Sequence, residues 1–136
     1  MKISIIVGGK FHAFNLANQI NNKKYLNQII TSYPASYLKR YGVEKNKVHS
    51  ILLKELLLKF FNKFDFFNHL FDYNLFLCNY FDNKASSYVN YKEIDILVGW
   101  SSFSKKSFTI AKKFNCIKIL ERGSTHIKFQ EKILKS

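Results

Sequence analysis

Short apolar runs separated by helical stretches constrain this chain more than any other feature. "ISIIV" near the start, then "LNQIITS", "IDILVGW" and "CIKILE", are each too short for a buried helix and are bounded by Gly, Asn or Pro. "KVHSILL" reads as a further strand. Between them, "FHAFNLANQINNK" repeats Phe14, Leu16, Ala17 and Ile20 at helical spacing, and "ASYLKRYG" reads as a short helix closed by Gly42. "FSKKSFTIAKKFN" and "THIKFQEKILK" supply later helices. Strands alternating with helices predict an α/β fold, a Rossmann-like doubly wound parallel sheet with helices on both faces. Residues 1–136 read as one domain, with no internal repeat or linker. Ligands of such sheets bind beyond the carboxyl ends of the strands. The loops there are Gly8 to His12, Ser32 to Pro34, Gly99 to Ser102 and Arg122 to His126.

The middle of the chain is aromatic and helical. Phe60, Phe64, Phe67, Phe71, Leu75 and Cys78 form one stripe, and Phe61, Phe66, Leu70, Phe76 and Phe81 widen it. A break near Asn62 to Asp65 divides it into two helices. Most of these phenylalanines are expected in the core. Lys54, Glu55, Lys59, Lys63, Asp65 and Asp72 interrupt the segment, so no uncharged stretch reaches the roughly 20 residues of a membrane span. The amino-terminal apolar run is too short for a signal peptide.

A formal charge of +13 points to a polyanionic partner: nucleic acid, an anionic membrane surface or a phosphate-bearing substrate. The competing explanation is compositional. Arg occurs only at Arg40 and Arg122, and the wealth of Lys, Asn, Ile and Phe is what A/T-rich coding yields. Cys78 and Cys116 have no C-x-x-C partner, which excludes zinc and thioredoxin-like chemistry and fits reduced thiols in a cytoplasmic protein.

"GGKFH" sits at the first strand-to-helix turn. Gly8 and Gly9 let the backbone approach a ligand, and the following helix N-terminus favours an anion. It matches neither the dinucleotide nor the P-loop fingerprint, and its ordinary alternative is a plain turn. In "GWSSFS", Ser101 or Ser102 is expected to cap the next helix, and Trp100 is either core or an apolar wall for a sugar ring. "ERGSTH" is the richest segment. Arg122 offers a planar fork for phosphate or carboxylate, Gly123 a tight turn, Ser124 or Thr125 a helix cap, and His126 a donor or an acid–base group. Its ordinary alternative is an Arg122–Glu121 ion pair beside a solvated histidine. His12 opens a helix beside the glycine turn and can share a crevice with His126, whereas His49 and His69 read as structural.

Together "IIVGGKFHAFNLANQI", "GWSSFSKKSFTIAKKF" and above all "ILERGSTHIKFQEKIL" resemble the N-terminal domain of family 4 glycosyltransferases, the group 1 enzymes of GT-B fold. The last is similar to the "ERGS-H---Q" segment of a bacterial subgroup. The resemblance implies two Rossmann-like domains facing across a cleft, with the acceptor on the N-terminal one. The C-terminal one holds most of the nucleotide sugar through two glutamates. That donor domain is absent from residues 1–136, so the resemblance implies a shortened acceptor-side domain, inactive alone, with a partner to supply the rest. His12 and His126 are then the catalytic candidates. Gly8, Gly9, Trp100, Ser101, Ser102, Arg122, Gly123 and Ser124 are the substrate-binding ones. No metal or other cofactor is expected.

The expected reaction moves a sugar from a nucleotide diphosphate-sugar to a carbohydrate or lipid-linked acceptor, as in cell-envelope polysaccharide synthesis. The expected location is cytoplasmic, with peripheral contact at the inner face of the membrane. The rival is a non-catalytic basic module for an anionic membrane or nucleic acid. The absence of an RNA-stacking motif or dense Arg/Lys block disfavours nucleic acid.

Overall fold

The computed structural model describes residues 1–64, 66–123 and 132–135, the side chain of Asn68 excepted. Five strands form one all-parallel sheet in the order β3-β2-β1-β4-β5. They are β1 (Ile3–Val7), β2 (Leu26–Thr31), β3 (Val48–Ser50), β4 (Ile96–Trp100) and β5 (Ile117–Glu121). The chain moves outward from β1 to one edge, then returns past it to build the other. This is the Rossmann-like arrangement that the sequence predicts.

β1 is buried along its whole length because it is paired on both sides and covered on both faces. Its side chains alternate between two cores, as the two-residue repeat of a strand requires. Ile5 and Val7 join Phe14 and Ala17 of α1 (Ala13–Asn22) and Leu38 of α2 (Ala35–Leu38) on one face. Ile6 meets Phe81 and Ala85 of α5 (Tyr73–Tyr88) and Ala111 of α6 (Lys105–Ala111) on the other. A 3-10 turn at Lys39–Tyr41 continues α2 and ends at Gly42, whose φ of 74° is the left-handed stop expected there.

Three expectations change. The strand expected over "KVHSILL" is only Val48–Ser50, because Leu52 already begins α3 (Leu52–Lys63). The aromatic segment breaks twice, giving α3, α4 (Phe66–Leu70) and α5. Most of its phenylalanines also stay outside the core. Phe81 is fully buried and Phe61 nearly so, while Phe60, Phe64, Phe66, Phe71 and Phe76 are exposed. The physical reason is size: α3 and α4 pack on α5 through a small cluster of Phe61, Tyr73 and Leu77, which leaves the outer face uncovered. The expected carboxyl-terminal helix "THIKFQEKILK" falls largely outside the described residues.

The capping of α6 also departs from expectation. Neither Ser101 nor Ser102 caps it, and Ser104 at the N-cap position turns its hydroxyl to the Trp100 carbonyl at 2.7 Å. Buried Asp82 of α5 accepts from Lys106 N at 2.5 Å, Ser107 N at 3.1 Å and the Ser107 hydroxyl at 2.7 Å. A carboxylate at a helix N-terminus is favoured by the dipole and by charge-assisted bonds. Asp82→Ala should therefore lower stability by about 2–4 kcal/mol, read as a shift of the urea midpoint. Asp82→Asn should fall between the two. A midpoint unchanged in both variants would show that Asp82 does not anchor α6.

Candidate functional site

The carboxyl ends of β1, β4 and β5 bring together residues distant in sequence. The β1–α1 loop carries Gly8, Gly9, Phe11 and His12; β4 ends at Trp100, and β5 ends at Glu121 followed by Arg122 and Gly123. The His12 ring centroid lies 5.1 Å from that of Trp100, and His12 Nε2 lies 3.6 Å from Glu121 Oε2. Ser101 N donates to the Glu121 carbonyl at 3.0 Å, carrying the β4–β5 ladder into the loop. A Cβ on Gly123 would lie 3.8 Å from the Phe11 ring, so the first and last loops approach each other. Among the described residues, His12, Trp100, Glu121, Arg122 and Gly123 thus share one edge. Ser124 and His126 lie outside the described residues.

One binding role read from the sequence is corrected. Trp100 is only 1% exposed, sealed in the core with Phe14 and Val98, and has no face open to a sugar ring. The half-exposed His12 imidazole is the ring that reaches solvent there. The Trp100 indole N–H has no acceptor among the described residues, an energetically costly state for a buried donor. Gly8 packs closely against protein: a Cβ there would strike the Phe103 ring. Gly9 is half-buried, and the atoms nearest a Cβ built there belong to the exposed ring of Phe11. The expected Arg122–Glu121 pair is not formed among the described residues, where Glu121 faces His12.

Sequence reasoning missed the polar knot beneath the first loop. Lys54, which in the sequence only interrupts the apolar middle segment, is 7% exposed. Its ammonium donates to the Gly8 carbonyl at 2.6 Å and to Glu55 Oε1 at 2.8 Å, and sits 5.3 Å from the Phe103 ring centroid. Ser32, after β2, points its hydroxyl at the same two acceptors, at 3.0 and 2.7 Å. Two segments, the loop after β2 and the first turn of α3, therefore converge on one carbonyl. No pattern in "LLKELLL" announces this, because the partner lies 46 residues away.

Left-handed backbone occurs at three non-glycine residues among the described ones: Lys24, at the opposite edge, and two at this edge. Phe11 (φ 40°) and Ser102 (φ 74°) hold left-handed backbone that non-glycine residues avoid, and both lie in carboxyl-end loops. Beside Ser102, a cleft of 640 Å³ opens between this loop and the first turns of α5, lined by Asp72, Asn74, Cys78, Asn79 and Lys105. Burial pushes the Cys78 thiol above its ordinary pKa, so it is a poor nucleophile. Among the described residues no three His, Cys, Asp or Glu side chains converge as a metal group would require.

These features define a Rossmann-like α/β protein whose loops converge at the carboxyl edge of the sheet. Comparison with protein-family models, curated proteins and solved structures finds no match.

The two glycines should respond differently to a methyl group. Gly8→Ala should cost about 1–3 kcal/mol through the clash with Phe103. Gly9→Ala should change stability by no more than about 0.5 kcal/mol, because the Phe11 ring can swing into solvent. Parallel denaturation curves check this. Equal losses would show that Phe103 does not require glycine at position 8.

Proposed function

We propose that this chain forms the acceptor-side wall of a glycosyltransferase resembling family 4, moving a sugar from a nucleotide diphosphate-sugar to a carbohydrate or lipid-linked acceptor. The carrying observation is the meeting of His12, Glu121 and Arg122 at the edge where an open α/β sheet binds ligands. The Glu121 carboxylate, 3.6 Å from one ring nitrogen of His12, favours the imidazolium that forms when the ring takes up a proton. The other nitrogen takes the proton of the attacking acceptor hydroxyl. As the new bond from that oxygen to the sugar carbon forms, the bond from the carbon to the diphosphate oxygen breaks. The departing negative charge is met by the Arg122 fork, the N-terminus of α1 and the backbone at Gly9. His126 is a second proton carrier in this reading.

The cleft beside Ser102 suits the acceptor. Asp72, Asn74, Asn79, Ser102 and Lys105 supply donors and acceptors for hydroxyl groups above the apolar side chain of Leu75. Ser101, by contrast, serves the sheet. The donor wall comes from a further domain or partner carrying the glutamates that the resemblance implies. Residues 1–136 alone should bind a nucleoside diphosphate at about millimolar Kd and should turn over no nucleotide sugar. Calorimetric titration with nucleoside diphosphates and a diphosphate-release assay over a panel of donors and acceptors check both expectations. Arg122→Ala should abolish the binding. Binding indifferent to Arg122→Ala, or acceptor-dependent turnover by this chain alone, would overturn the reading.

One observation favours a membrane location. Leu52, Leu53, Leu56, Phe60, Phe64 and Phe66 are all exposed on α3 and α4, with Lys59 and Lys63 among them. No helix among the described residues is long and apolar enough to cross a membrane. An apolar face edged by lysine suits peripheral attachment to the anionic cytoplasmic leaflet, either for the transferase or for a non-catalytic module. Co-sedimentation with anionic vesicles should occur at low salt, fade as salt rises and drop on Phe60→Asp. Equal recovery with neutral and anionic vesicles at low salt would exclude this role.

A further inference from the structure

A second cluster lies on the other side of the β1–α1 loop, away from His12. Tyr33, Tyr37 and Tyr41 form a ladder with successive ring centroids 5.3 and 5.9 Å apart. All three rings lean on buried Phe14, at 5.5, 6.1 and 5.4 Å. The ladder is therefore anchored in the core and pre-organised. Two cations converge on it. Lys10 Nζ lies 5.7 Å from the Tyr37 ring centroid and 6.0 Å from that of Tyr41, and the Arg40 guanidinium carbon lies 5.6 Å from that of Tyr37.

Neither cation has a carboxylate partner among the described residues, where the ion pairs involve Asp95, Glu121, Glu44 and Glu55. Glu44 is the only acid in the first 54 residues, and it faces Lys47 at 3.7 Å. An aromatic face is a weak counter-charge, giving about 0.5–1 kcal/mol to an exposed cation. The side-chain groups at this spot are an ammonium, a guanidinium fork and two phenols. They present many N–H and O–H donors and no anionic acceptor. A neutral sugar would call for strong acceptors as well, whereas a phosphate offers acceptors alone.

We propose that Lys10, Tyr37, Arg40 and Tyr41 form a phosphate-binding site for a phosphomonoester or diphosphate group. If the transferase reading holds, that group belongs to the acceptor, but the binding itself does not depend on that reading. The Lys10 ammonium and the Tyr41 hydroxyl already hold the Tyr37 phenol below its ordinary pKa, as expected of a strongly positive spot. A bound phosphate adds negative charge there and should move the phenol back up.

The test is titration of the full chain with inorganic diphosphate, followed by tyrosine ring resonances and by phenolate absorbance. Saturable binding should shift the ladder resonances and raise the pH at which one tyrosine ionises. Lys10→Ala and Arg40→Ala should each weaken binding about tenfold. Lys23→Ala, the same charge change at an exposed site off the ladder, should leave it within about twofold. Lys10 is exposed, so its variants keep the fold. Vesicles containing phosphatidic acid, set against phosphatidylglycerol at equal charge, distinguish a lipid phosphomonoester from a free one. Lys10-dependent preference for phosphatidic acid identifies the lipid source, and diphosphate binding without that preference identifies the soluble one. Equal loss in Lys10→Ala and Lys23→Ala would overturn the proposal by reducing it to net charge. So would binding that depends on Arg122 but not on Lys10, an outcome that leaves the transferase reading intact. Tighter binding of a single-stranded oligonucleotide with no ladder shifts would overturn it as well.

Discussion

The parallel pairing of β1 between β2 and β4 is the constraint from which the rest follows. A strand paired on both sides and covered on both faces must be apolar throughout, as Ile3–Val7 nearly is. Parallel neighbours cannot be joined by hairpins, so each connection crosses a face as a helix. Every strand then ends at the same edge. His12, Trp100, Glu121 and Arg122 meet there because the topology leaves their loops nowhere else to go.

Two buried polar anchors hold that edge in place, and both act across long stretches of chain. Lys54 fixes the Gly8 carbonyl with help from Ser32 and Glu55, and Asp82 caps α6 from a neighbouring helix. Buried ionic groups persist when their charge is met by several hydrogen bonds, as both are here. The sheet is thus fixed by apolar burial, while its loops are fixed by a few directional bonds. The left-handed backbone at Phe11 and Ser102 is borne by the loops so anchored.

The exterior is as informative as the core. A chain this basic has far more cationic than acidic side chains, and its outer helices present phenylalanine and leucine to solvent. Single exposed apolar residues are ordinary, but a contiguous set on α3 and α4 is not. The tyrosine ladder differs from that patch: its rings are backed by the core and faced by two cations.

The sequence by itself determined the alternating elements, the parallel sheet and the loops of interest. Each rests on local periodicity: two for strands, 3.6 for helices, with Gly42 and the Asn cluster as stops. It also placed His12 and Arg122 correctly beside strand ends. Tertiary structure alone decided which side chains face one another. Trp100 became core, Gly8 proved to be space for Phe103, Lys54 turned inward, and the cap of α6 came from Asp82. Local sequence specifies backbone preference within a few residues, but burial and charge pairing depend on distant neighbours. Sequence proximity points to Ser101 or Ser102 as the cap, yet the Asp82 carboxylate, 24 residues before Lys106, takes the N–H groups of the first turn.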